Sequence, residues 1–121
     1  MTKLENIFND LKNEHLECKM VNDKRLDIDL PFLYLTSRDY MKVSLVQLGE
    51  NLYFTDFGKT IDEFESEFDE IKGLEILRER LENLGVKLDK HNITKLVDEN
   101  DIFIQLNQFI YAIVFIQTLI M

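Results

Sequence analysis

The sequence contains a single cysteine, Cys18, and its first residues, MTKLENIFNDLK, include no continuous apolar segment. A lone cysteine cannot form an internal disulfide, and a secretory signal requires an apolar run. Both absences favour a reducing, cytoplasmic setting. The chain also has no Pro-rich or Ser-rich linker, internal repeat or low-complexity tract, so we expect a single domain spanning residues 1–121.

Basic residues are scarce relative to acidic ones. Fourteen lysines and arginines stand against 23 aspartates and glutamates, which gives a net charge of −9 at pH 7. Nucleic-acid binders use positive side chains to displace counterions from phosphates, so we expect no direct binding to DNA or RNA. The excess negative charge has two interpretations: it keeps the protein soluble, or it attracts a partner protein with a basic surface.

Catalytic and cofactor motifs are absent as well: the sequence has no nucleophile elbow, P-loop, dinucleotide fingerprint or Cys-x-x-Cys pair. His15 and Cys18 are three residues apart on a predicted helix, but tetrahedral zinc needs two further ligands and only His91 remains among the soft donors. We expect no metal site and no cofactor here. The sequence gives an enzymatic activity no direct support.

Hydrophobic periodicity predicts an α+β domain. Residues 2–19 have helical spacing of apolar side chains, whereas residues 25–30, 40–48 and 52–55 alternate or run as strands around tight turns. These segments predict an antiparallel three-stranded meander. Helical patterns follow from Thr60, a predicted helix cap, and over residues 74–84, and residues 86–88 and 93–97 fit a small extra hairpin. We expect the sheet to pack against the N-terminal and C-terminal helices.

The C-terminal stretch, residues 102–121, contains no charged side chain, and its few polar residues are scattered around the helical wheel. A helix that is apolar nearly all round must be enclosed. Three environments would enclose it: the core of the same chain beneath the sheet, a homodimer formed through this helix, or a membrane. Five amide or hydroxyl side chains, and the lack of a basic residue after Lys95, argue against a membrane.

Several short motifs resemble those of a small family of bacterial and phage proteins, domain of unknown function 1828. They are Leu30-Pro31-Phe32, Asp39-Tyr40, the turn FTDFGKT at residues 54–60, and GVKLD at residues 85–89. The turn is similar to the family's Leu-Thr-Asp-Asp-Gly-Tyr-Thr, with Phe57 in place of the second Asp and Lys59 in place of the Tyr. The resemblance covers residues 25–121, and it implies an α+β domain and a mobile-element origin but no reaction.

Asp56 is the main candidate for chemistry in that turn. As an acidic residue at the end of a strand, it could bind a metal together with Asp27, Asp29 or Asp39. In the structural alternative, Asp56 and Thr55 bond the turn backbone while Gly58 supplies a positive φ. A restriction-nuclease core needs an acid-x-Lys tripeptide on a strand, but those at residues 10–12, 17–19 and 70–72 all fall in predicted helices.

The most unusual surface feature is a run of six acids in nine positions without a basic residue. Like charges four residues apart destabilise a helix, so local folding does not explain the run. It is either a solvated helix face or an array of carboxylates that mimics nucleic-acid phosphates, with Tyr34, Tyr53 and Phe57 as flanking aromatic anchors. This acidic run comprises Asp62, Glu63, Glu65, Glu67, Asp69 and Glu70.

These observations favour a non-enzymatic interaction protein from a phage or mobile element. The specific hypothesis is a counter-defence inhibitor of the anti-CRISPR or anti-restriction type, in which the acidic run binds a basic nucleic-acid-handling host or defence-system protein. The alternatives are a metal-dependent nucleic-acid-processing enzyme centred on Asp27, Asp39 and Asp56, and a regulatory oligomer.

Overall fold

The computed structural model describes residues 2–34, 39–62, 74–89 and 92–120. Its helices are α1 (Lys3–Asn13), α2 (Lys59–Asp62), α3 (Leu74–Asn83) and α4 (Ile102–Ile120). Its strands are β1 (Glu17–Asn22), β2 (Arg25–Leu33), β3 (Tyr40–Leu48), β4 (Asn51–Thr55), β5 (Lys87–Asp89) and β6 (Asn92–Val97). The predicted α+β class is confirmed.

The described strands form one antiparallel sheet of six strands in the order β1-β2-β3-β4-β6-β5. The predicted meander is β2-β3-β4. The predicted hairpin, β5-β6, joins the same sheet because β6 pairs with β4, with Leu52 opposite Val97. The sheet is therefore larger than the meander that local patterns predicted.

The N-terminal helix ends earlier than predicted, at Asn13. His15 adopts a left-handed conformation (φ 64°), and the Leu16 N–H donates to the Leu11 carbonyl at 3.1 Å. This is the Schellman arrangement that terminates helices. Residues 17–19, the last three of the predicted helix, instead begin strand β1, in which Cys18 and Met20 are half-buried and Glu17 and Lys19 are exposed.

One face of the sheet forms the core with the helices. Ile28, Leu45 and Phe54 point to this face and are fully buried, and the Phe54 and Phe109 rings lie 5.8 Å apart. Buried side chains of α1, α3 and α4 belong to the same hydrophobic cluster. We call the opposite side of the sheet the outer face. An antiparallel sheet with one packed face gives the alternation of apolar and polar residues seen in β2.

Among the described residues, helix α4 is enclosed on one side. Leu106, Phe109 and Ile113 are buried in the core, whereas the side chains of Ile104 and Tyr111 are 59% and 60% exposed. A single sheet layer covers only one side of a helix, so the part of the chain that the structure describes provides the predicted core environment for one side of α4 only. No helix in the described ranges is both long and apolar enough to cross a bilayer.

Candidate functional site

The acidic run falls mostly outside the described residues. Asp62 is the last residue of α2, and only its backbone is described. The other five acids lie outside the described ranges: Glu63, Glu65, Glu67, Asp69 and Glu70. The segment that leads into the run, residues 55–60, is described in full. It is the turn in which Asp56 was the candidate for chemistry.

Asp56 has the structural role that its sequence context predicted. Its carboxylate is buried, and it accepts hydrogen bonds from the backbone N–H groups of Gly58 (2.9 Å), Thr60 (3.0 Å) and Ile93 (3.4 Å). Gly58 has the predicted positive φ of 80°. We had predicted that Thr60 caps this helix. Instead, the Asp56 carboxylate accepts the hydrogen bond from the backbone N–H of Thr60 at the start of α2. The carboxylate of Asp56 is committed to holding the turn.

Thr55 completes the turn. Its hydroxyl accepts a hydrogen bond from the Phe57 N–H at 3.1 Å and donates one to Asn92 Oδ1 at 2.7 Å. The turn is therefore bonded both within itself and to the start of β6. This bonding fixes the position of the residue between Asp56 and Gly58.

That residue, Phe57, is held in an unfavourable conformation with its ring exposed. Its φ is 54°, and its side chain is 53% exposed. A left-handed conformation costs a bulky residue free energy and persists only where its surroundings enforce it. The ring packs against the Arg25 guanidinium, whose central carbon lies 4.5 Å from the ring centroid. Phe57 is thereby presented at the outer face of the sheet.

Arg25 belongs to a polar group with Asp27 and Ser44. Arg25 Nε donates to Asp27 Oδ1 at 2.9 Å, and Ser44 Oγ donates to the same oxygen at 2.7 Å. Burial acts to raise the pKa of Asp27. The hydrogen bonds from Arg25 and Ser44 and the charges of Arg25 and Lys42 outweigh that effect, so the pKa lies below its usual 3.8. Asp27 is an ionised, internally paired carboxylate.

A cleft of about 410 Å³ adjoins this group, and both Asp39 and Asp56 line it. Lys59 Nζ lies 3.9 Å from Asp39 Oδ2. The three acids of the enzyme hypothesis therefore border one region, but each has its own partners. Within the described residues, no three carboxylate, histidine or cysteine side chains are grouped so that they could hold a metal ion. The cleft-lining Arg25, Lys42 and Ser44 were missed because only strand register places them there.

His15 and Cys18 were expected to lie on one helix, but the structure places them on different elements. His15 lies in the turn after α1, and Cys18 lies on β1. The Cys18 thiol donates to the Phe8 carbonyl at 3.9 Å, and burial raises its pKa. The environment is that of a partly buried, weakly acidic thiol.

We had predicted that every acid-x-Lys tripeptide lies in a helix, and this prediction is wrong for residues 17–19. Glu17 and Lys19 lie on strand β1, directly opposite Asp29 and Asp27 of β2. Residues directly opposite in an antiparallel pair point to the same face. An acid-x-Lys tripeptide and an aspartate strand therefore lie side by side on the outer face.

Two of the three predicted aromatic anchors are less exposed than a binding anchor should be. Tyr34 is 1% exposed, so it cannot anchor a partner, and Tyr53 is half-buried on the outer face. Tyr53 stands opposite Val46 and Leu96 in one row across three strands. Phe57 is the anchor whose ring is well exposed.

The model of one protein family, described as domain of unknown function DUF1828, matches residues 30–116. The chain belongs to this family. The DUF1828 match includes the Asp56 turn and most of α4, and it excludes α1, β1 and the Arg25–Asp27 pair, which precede it. The predicted resemblance is confirmed over the matched range. No curated protein and no solved structure matches the chain.

Proposed function

We propose that this DUF1828 protein is a non-enzymatic interaction protein of a phage or mobile element that acts in the cytoplasm. Its partner is a basic, nucleic-acid-handling protein of the host or of a defence system. The observation that carries the proposal is Phe57, a bulky residue held at φ 54° with its ring exposed, five residues before the start of the acidic run. Strain of this kind is concentrated at functional sites, and aromatic anchors dominate binding energy.

The acidic run supplies the electrostatic part of the proposed interface. Six carboxylates without a basic residue among them imitate the spaced charges of nucleic-acid phosphates, so they compete for a groove lined with lysine and arginine. Such a protein is a counter-defence inhibitor of the anti-CRISPR or anti-restriction type. The internal bonding of Asp27 and Asp56 supports this proposal over catalysis by these two carboxylates.

The test measures DNA cleavage by purified CRISPR and restriction nucleases of the host in the presence of the protein. Wild type is expected to inhibit, and replacement of Glu63, Glu65, Glu67 and Asp69 by lysine is expected to abolish inhibition. Phe57→Ala is expected to weaken it by about tenfold or more. A matched variant, with Asp23, Glu79, Glu82 and Asp89 replaced by lysine, should retain most of it. Full inhibition by the acidic-run variant, or inhibition of none of the nucleases, contradicts the proposal.

The second candidate is a metal-dependent nuclease, which the neighbouring Glu17, Lys19 and Asp29 favour over the original set of Asp27, Asp39 and Asp56. Glu17 and Asp29 are directly opposite each other, as two oxygen ligands of Mg²⁺ or Mn²⁺ would need to be. Calorimetric titration of the protein with each ion tests this candidate. Binding that Glu17→Gln and Asp29→Asn both abolish supports it, and the absence of binding by wild type removes it.

A further inference from the structure

The exposed side of α4 carries an apolar strip that the described residues cover only at its C-terminal end, where Phe115 is half-buried against the core. Ile104, Tyr111 and Phe115 follow one another at intervals of seven and four residues, so they share one face of the helix. Ile104 and Tyr111 are more than half exposed, and the Tyr111 and Phe115 rings are stacked with centroids 6.5 Å apart. We call this set the α4 strip. At about 1.5 Å per residue it is roughly 16 Å long.

An acidic groove adjoins the N-terminal end of the α4 strip. It has a volume of about 410 Å³ and lies between the end of α1 and the start of α4. Asp10 and Glu14 line it from one side, and Glu99, Asp101, Phe103 and Ile104 line it from the other. The lining contains four carboxylates and no basic residue.

The fold does not account for these carboxylates. Asp10 and Glu14 lie at the C-terminal end of α1, where the helix dipole disfavours negative charge. Glu99 and Asp101 precede α4, where the dipole favours them, yet neither forms an ion pair with a described residue. None of the four takes part in the ion pairs found among the described residues. Their charge is available to another molecule.

The loop that carries Glu99 and Asp101 is held in place by Gln105. Its Nε2 donates to the carbonyl oxygens of Asp98 and Asn100, both at 2.8 Å, and its Oε1 accepts from the Asp98 N–H at 2.9 Å. A ligand would therefore not have to order this loop, which lowers the entropic cost of binding.

We propose that the groove and the α4 strip together form a docking surface for a cationic amphipathic helix of a partner protein. Apolar side chains of that helix would lie on Ile104, Tyr111 and Phe115, and its lysines or arginines would enter the groove. Charge complementarity selects this occupant. A second copy of the chain would bring no positive charge from this surface, so it would not match the acidic groove. The inference goes beyond the acidic run, because it involves none of the same residues.

The test uses a fluorescein-labelled synthetic peptide of about 18 residues, with leucine and lysine at helical spacing, titrated with the protein at about 0.15 M NaCl. Anisotropy reports the affinity. Replacing Asp10 and Asp101 by Asn and Glu14 and Glu99 by Gln is expected to weaken binding by about tenfold or more. The double variant Ile104→Ser, Tyr111→Ser is expected to have an effect of similar size. Circular dichroism melting identifies variants that fail to fold.

The matched control neutralises exposed acids elsewhere, by Asp23→Asn, Glu79→Gln, Glu82→Gln and Asp89→Asn, and should weaken binding by less than about threefold. Equal losses in the two neutralised proteins would mean that net charge alone attracts the peptide, and would overturn the proposal. Unchanged binding by the serine variant would do so as well. Neutralising Glu63, Glu65, Glu67 and Asp69 should act like the matched control, so this surface and the acidic run are tested separately.

Light scattering of the protein alone tests the homodimer through α4. The docking proposal expects a monomer whose mass is unchanged by Ile104→Ser and Tyr111→Ser. A dimer that these substitutions convert to a monomer would assign the strip to self-association and overturn the proposal.

Discussion

Asp56 holds its turn through hydrogen bonds from three backbone N–H groups. Replacing it by Asn keeps the shape but removes the charge, and it turns an N–H donor towards backbone N–H groups of the turn. We expect Asp56→Asn to lower the free energy of unfolding by about 2 kcal/mol, because buried N–H groups lose their acceptors. Urea unfolding measures the change, with the exposed Asp23→Asn as control. A loss no larger than that of the control would show that the carboxylate does not stabilise the turn.

Asp27 gives the stability of the protein a dependence on pH. Because the folded-state pKa lies below 3.8, the folded protein binds this proton less readily than the unfolded chain does. The resulting stabilisation is present above pH 3.8 and is lost as the pH falls through the folded-state pKa. We expect Asp27→Asn to cost about 1.5 kcal/mol at neutral pH, since two charge-assisted hydrogen bonds weaken.

Urea unfolding of wild type and Asp27→Asn at pH 7 and at about pH 3 tests this linkage. The difference between the two proteins should shrink at the acidic pH. A difference that stays constant would assign the effect of the substitution to packing and not to ionisation.

At single residues, sequence reasoning succeeded where bonds are local. The roles of Thr55, Asp56 and Gly58 follow from side-chain bonds to backbone groups two to four residues away, which leave a recognisable pattern. The bond from Ile93 N–H to Asp56 spans 37 residues. No local pattern encodes such a contact.

Among the elements, β1 was missed because of the cap on α1. Leu16 continues the apolar spacing of Leu4, Ile7 and Leu11, which predicted a longer helix. In the structure Leu16 follows the left-handed His15 and bonds back to Leu11, and an apolar residue at this position is typical of a Schellman cap. The alternation of Cys18 and Met20 with Glu17 and Lys19 was the signal for a strand.

The loop from α3 to β5 depends on contact between Gly85 and Lys95. Lys95 is buried on the core side of β6, burial lowers its pKa, and its Nζ donates to the Leu84 carbonyl at 3.1 Å. Gly85 has a φ of 74°, and a Cβ built on it would lie 2.5 Å from Lys95 Nζ. Any side chain at residue 85 therefore displaces the ammonium group from its acceptor.

We expect Gly85→Ala to destabilise the protein by about 2–3 kcal/mol, through left-handed strain and loss of the lysine bond. Gly49→Ala is the matched control, because its φ of 63° is similar and no atom lies within 4 Å of its built Cβ. The control should lose only the strain component, about 1–2 kcal/mol. Equal losses in thermal or urea unfolding would mean that Lys95 moves aside at no cost.

For the whole molecule, the fold class was predictable and the extent of the sheet was not. Turns and alternation predict β2, β3 and β4, because adjacent strands pair through short connections. The pairing of Leu52 with Val97 joins distant segments, so it depends on the complete chain. The exposed side of α4 was unpredictable for the same reason. The apolar pattern shows that the helix must be covered, but it does not show how much of the helix the rest of the chain covers.

The net charge of −9 predicts opposite effects of salt on stability and on binding. In low salt the like charges repel one another and destabilise the compact state. Raising NaCl from about 0.02 M to about 0.5 M shortens the screening length severalfold, so the urea midpoint should rise. The same change should weaken binding of the lysine-leucine peptide, because that contact is between opposite charges.

Attractive ion pairs would reverse the stability effect if they outweighed repulsion. Two of those in the described part, Lys42–Asp29 at 3.8 Å and Lys59–Asp39 at 3.9 Å, join side chains at least half exposed, and such pairs contribute little. The protein with Asp10, Glu14, Glu99 and Asp101 neutralised carries less repulsion, so its urea midpoint should rise less with NaCl. A midpoint that falls as NaCl rises would show that ion pairing and not repulsion governs the electrostatic free energy of the fold.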